Sequence, residues 1–85
     1  MSDAAFLGLV RESLFEVAPA RKADFAKIEL DTRIDALGLG SIEVMEMVTG
    51  VEDRLGIILP EDELQRVQSL RDLSKVVVGA GGVVQ

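Results

Sequence analysis

Val44, Met47, Val48, Val51 and Leu55 step along the chain by three, one, three and four. That spacing gathers five large apolar side chains on one face of a 3.6-residue period and predicts an amphipathic helix over Ser41–Leu55. One such helix buries a single stripe, so the rest of the chain must supply apolar faces to cover it. The chain has 85 residues and no Cys, so that cover comes from packing alone, in one small domain.

The covering faces are legible on both sides. Phe6, Leu9, Val10, Leu14 and Val17 recur at helical spacing and predict a first helix from Asp3 to about Val17. Ser2 or Asp3 is placed to cap it, and Pro19 to stop it. After the central helix, Gly56 fits the left-handed position just beyond a helix end. Pro60 leads into a short helix read as EDELQRV, Glu61–Val67, with acids in its first turn. Ser69 with Asp72 opens a capping-box-like pattern, and Leu70, Leu73, Val76 and Val77 form the inward face of the last helix.

From 18 to 40 no period is sustained, so a long loop is predicted between the first two principal helices. Ile28, Leu30, Ile34, Leu37 and Leu39 are its pins, RIDAL is a short turn of helix, and Gly38 and Gly40 mark backbone in need of freedom. The fold class predicted is therefore all-α: a small bundle of three principal helices plus a short fourth. It forms a single domain over 1–85, with 78–85 a frayed tail.

Charge and composition exclude most chemistry. Between Glu43 and Glu63 lie seven acids against Arg54 alone, which accounts for the whole net charge of −6; elsewhere eight acids face eight bases. A surface this acidic and this localised argues against nucleic acid and for partners with basic patches steered to one face. With neither His nor Cys, the commonest general base, thiolate nucleophiles and thiolate metal sites are all absent. No signal peptide opens the chain and no apolar run approaches the roughly 20 residues of a membrane span. The chain is read as a soluble, cytoplasmic monomer.

Motif by motif, little remains with which to catalyse. GLGSIE lacks the third Gly of a dinucleotide fingerprint and follows no strand. It is not G-x-S-x-G either, and no Ser–His–Asp set exists without His. In DTRIDALGLGSI, Arg33, Ala36 and Ile42 stand where a calcium loop needs an oxygen ligand, Gly and a bidentate Glu. No metal is predicted. Ser41 itself fits an N-cap, a purely structural role. Against that role alone stands the outer side of its helix, where Ile42, Met45, Glu46, Thr49 and Asp53 repeat the core spacing. Large apolar residues ringed by acids on a solvent face mark a docking surface, unless Ile42 and Met45 pack against the long loop.

The residues of that region resemble a family. Leu37-Gly38-Leu39-Gly40-Ser41-Ile42, then Glu52-Asp53-Arg54-Leu55-Gly56, then Ile57-Ile58-Leu59-Pro60 are similar to the phosphopantetheine-binding helix of acyl carrier proteins and their peptidyl carrier relatives. The likeness extends over nearly the whole chain once the flanking helices and loop are included. It implies covalent attachment of 4′-phosphopantetheine, drawn from coenzyme A by a phosphopantetheinyl transferase, to Ser41. It implies cargo held as a thioester on the arm, so that a chain without Cys still does thioester chemistry. It also implies that Ile42, Glu43, Met45, Glu46, Glu52 and Asp53 dock partners: an acyl-loading ligase or transferase, and synthase enzymes. Fatty-acid synthesis, polyketide assembly and aminoacyl transfer all use such carriers. The resemblance thus implies a stand-alone carrier and no enzyme; the alternative is an unmodified carrier-like interaction module. One departure stands out: the family's Asp before the Ser is Gly40 here. In the family that Asp is held to help cap the helix and to assist the magnesium-dependent transfer.

Overall fold

The computed structural model describes residues 2–81 and is all-α among them. Five helices run in the order α1 Asp3–Val17, α2 Lys22–Phe25, α3 Ser41–Leu55, α4 Glu61–Leu64 and α5 Leu70–Gly79. The three principal helices are those the apolar spacing predicts. α1 starts where Ser2 Oγ accepts the Ala5 N–H at 3.1 Å, and α5 where Ser69 Oγ accepts the Asp72 N–H at 3.3 Å. α3 ends at Gly56, whose φ of 66° is the left-handed conformation that glycine adopts without a Cβ penalty.

The inward stripes meet in one core. Phe6, Val10 and Leu14 of α1 pack with Met47, Val48 and Val51 of α3 and with Leu70, Leu73 and Val77 of α5, all buried. Phe25, Ile28, Leu37 and Leu59 close it from the connections. Val44, Leu55 and Val76, also predicted to face inward, are half-buried.

Four details differ from the sequence reading. α2 is too short to display a period and so escaped it; its Phe25 is drawn into the core beside Phe15, with ring centroids 6.5 Å apart. The short helix after Pro60 ends at Leu64 rather than Val67. Beyond it Arg66 and Val67 bond to carbonyls three residues back, at Glu63 and Leu64, which tightens the last turn into 3-10 geometry. Of the paired glycines, only Gly38 needs freedom, at φ 69°; Gly40 is extended at φ −75°. Val78 and Gly79 belong to α5, and 82–85 of the tail lie outside the described residues.

The long loop is held by apolar pins and by backbone. Ile28 and Leu37 are buried, and Leu30, Ile34 and Leu39 pack against the core. RIDAL supplies a 3-10 turn, Ile34–Leu37. In addition Leu30 and Thr32 carbonyls accept the N–H groups of Arg71 and Leu70 at 2.7 and 3.0 Å, while the Ile34 N–H donates to Gln68 O at 2.9 Å. These bonds dock the loop on the start of α5 and deliver Gly38–Gly40 to the head of α3.

Candidate functional site

Ser41 occupies the first helical position of α3, not the cap. The cap is Gly40, at φ −75° and ψ 169°, whose carbonyl accepts the Val44 N–H at 3.0 Å. Glu43 reaches back so that its Oε1 accepts the Gly40 N–H at 3.0 Å. This is half of a capping box; the other half requires a side chain that Gly40 lacks. Ser41 is therefore relieved of the structural role that its type allows. Its side chain is exposed and its hydroxyl has no hydrogen-bond partner among the described residues. The N–H groups of Ser41, Ile42 and Glu43 have no acceptor there either, as expected for an uncapped first turn.

From Ser41 an open groove of about 500 Å³ runs along the outer side of α3, lined by Ile42, Met45, Glu46, Thr49, Gly50, Asp53 and, from α1, Glu16. Ile42 and Met45 are 76% and 52% exposed, so the long loop covers neither of them. Glu46 and Asp53 are exposed at the groove edge. Two residues assigned to docking do not line this groove. Glu43 is turned to Gly40, and Glu52 is half-buried with its Oε2 accepting the Leu59 N–H at 2.7 Å, which ties down the Ile57–Pro60 connection. Sequence reasoning missed Glu16. Spacing along α3 carries no sign of a residue on α1; the link is Arg54, which ion-pairs with Glu12 and Glu16.

On the core side of α3 lies a second, more enclosed cavity of about 80 Å³, lined by Ile34, Val44, Met45, Met47, Val48, Leu64, Val67 and Leu73. It has room for a few carbon atoms. No group of three acidic residues gathers as a metal site would require, and no helix is long and apolar enough to cross a membrane, among the described residues.

A small helical bundle with one unengaged hydroxyl at the head of an acidic, partly apolar helix has the form of a carrier domain. Comparison with known families agrees: the phosphopantetheine attachment site family matches residues 11–77, and the chain belongs to it. Over 64 residues it is 27% identical to an acyl carrier protein homolog of Ureaplasma parvum, covering 75% of this chain and 83% of that one. It is 29% identical over 76 residues to acyl carrier protein MbtL of Mycolicibacterium paratuberculosis, 88% of this chain and 78% of that one. A third relative is far longer. The chain is 36% identical over 73 residues to 3-methylorcinaldehyde synthase of Phoma sp., which is 80% of this chain but 3% of the synthase. No solved structure is a significant match.

The cofactor of the family is 4′-phosphopantetheine. The donor set at the head of α3 fits it. A phosphodiester needs a solvent-facing hydroxyl to be built on and hydrogen-bond donors for its oxygens, and Ser41 with the three unengaged N–H groups offers both.

Proposed function

We propose that this chain carries acyl groups on 4′-phosphopantetheine esterified to Ser41 and presents them to biosynthetic enzymes through the outer face of α3. The observation that carries the reading is the freedom of the Ser41 hydroxyl at the mouth of the α3 groove. When bound, the group supplies the thiol on which cargo rides as a thioester. The chain's own residues do the rest. α3 holds Ser41 clear of the core, Ile42 and Met45 give a partner an apolar footing, and Glu46 and Asp53 draw its basic patch to the right face. Those partners are a phosphopantetheinyl transferase, an acyl-loading ligase or transferase, and synthase enzymes. The chain acts as a carrier, not as a catalyst. The core-side cavity gives the first carbons of an aliphatic cargo somewhere to lie, which favours acyl over aminoacyl groups.

A second reading, an unmodified helical interaction module, draws on Gly40, which replaces the family's Asp. Intact-protein mass spectrometry separates the two. After incubation with coenzyme A, magnesium and a broad-specificity transferase, the carrier reading predicts a gain of one phosphopantetheine that Ser41→Ala abolishes. A mass that never changes, even in extract of the source cells, together with full biological activity of Ser41→Ala, would establish the interaction module instead. Gly40→Asp is predicted to speed modification by an ordinary transferase; an unchanged rate would show that this position does not govern the reaction.

A further inference from the structure

We propose that the phosphodiester on Ser41 acts as the N-terminal cap that α3 otherwise lacks, so that modification stabilises the fold, and that Gly40 is the residue that creates this dependence. The inference rests on attachment of the arm to Ser41. Of the three long helices, α1 and α5 each begin with a Ser side chain accepting a first-turn N–H. At α3 the single side-chain acceptor is Glu43 Oε1, and it serves the Gly40 N–H, leaving the N–H groups of the first turn itself unserved.

Ser41 lies one residue inside the helix, so a phosphate on its Oγ stays beside that turn, at the positive end of the helix dipole. It brings anionic oxygens that accept charge-assisted hydrogen bonds from donors now facing solvent. An Asp at position 40 would accept from the same donors and place a second negative charge next to the phosphate, so a chain with that Asp gains less from modification. The exchange is sterically open. Gly40 has an ordinary φ, and a Cβ there would meet only Glu43 Oε1, at 3.7 Å. That same carboxylate is the charge that opposes the phosphate in the native chain. Glu43→Gln keeps an acceptor for the Gly40 N–H while removing the repulsion.

The test is thermal unfolding by circular dichroism of apo and fully loaded protein, with loading verified by intact mass, for the native chain, Gly40→Asp and Glu43→Gln. At low salt the loaded native chain is expected to melt about 2–6 °C above the apo form. The gap should shrink in 1 M salt, where the Debye length falls to about 3 Å. Gly40→Asp should raise the apo midpoint and cut the gap by more than half, and Glu43→Gln should widen it. Equal midpoints for loaded and apo native chain overturn the proposal. So does an unchanged gap in Gly40→Asp, which is what a purely local effect of the Asp on both forms would give. A native chain that takes up no arm fails at the mass measurement, and that outcome removes the Ser41 reading together with this one.

Discussion

Gly50 stands where α3 packs tightly against Ser13 of α1. A Cβ there would overlap Ser13 Oγ and lie 3.2 Å from Ser13 Cβ. Ser13 is itself buried and donates its hydroxyl to Met47 O at 2.7 Å, so it has no easy place to go. Alanine is normally the better helix former by about 1 kcal/mol. Here overpacking outweighs that gain, and Gly50→Ala is predicted to destabilise the protein by about 1–3 kcal/mol in urea unfolding. Adding Ser13→Ala should recover part of the loss, because the hydroxyl is the nearest obstacle. A Gly50→Ala protein as stable as the native one would mean that the two helices part freely at this point. Glu52 makes a related point at the same scale. Its place among acids on α3 marks it for docking, yet its carboxylate is spent on the Leu59 N–H. Which of several acids bonds inward is decided by a backbone seven residues on, and no pattern within the helix encodes it.

Among the elements, α5 shows how a local signal and a long-range one combine. The pair Ser69 and Asp72 is readable as a box from three-residue spacing, and both halves form. Beyond the box, Asp72 also accepts the Gln68 N–H at 3.1 Å. That bond, followed by those from Ser69, holds the Asp72 carboxyl below its usual value. A carboxylate whose folded pKa is depressed adds stability that is present above the unfolded value, about 3.9, and is lost as pH falls through the folded one. Asp72→Asn is therefore predicted to lower the midpoint of thermal unfolding at pH 7 and to converge on the native curve as pH drops below about 4. A deficit that stays constant from pH 7 to pH 3 would show that the charge is irrelevant to the cap.

The principal helices were legible because each carries a sustained apolar period and a stop or cap. α2 was not, since four residues complete barely one turn. Nor were the bonds from the long loop to Leu70 and Arg71 legible, since backbone pairing across some 40 residues leaves no side-chain trace. Of that loop, the apolar pins, the RIDAL turn and the freedom needed at Gly38 could be read.

Across the whole molecule, the excess negative charge is concentrated in α3 and the segment that follows it, on a surface shared with exposed apolar residues. The entire net charge lies within 43–63, and the exposed apolar residues Ile42 and Met45 sit among those acids. Steering by such a face predicts that association with a transferase or synthase bearing a basic patch slows steeply as salt rises. Reversing Glu46 and Asp53 together to Lys should reduce the association rate about tenfold or more at low salt while leaving the fold intact, and should flatten the salt dependence. Stopped-flow rates that do not respond to this change would assign docking to another surface. The candidate site could be read in the sequence as a family motif and an outer stripe; its groove, which needs Glu16 from α1, could not.

The central claim concerns one hydroxyl, and trypsin isolates it. Cleavage after Arg33 and Arg54 releases a peptide, Ile34–Arg54, in which Ser41 is the only Ser and Thr49 the only other hydroxyl. Fragmentation of that peptide from protein purified out of its native cells should place one 4′-phosphopantetheine on Ser41. The same peptide recovered bare, or the group found on Thr49 or elsewhere in the chain, would contradict it.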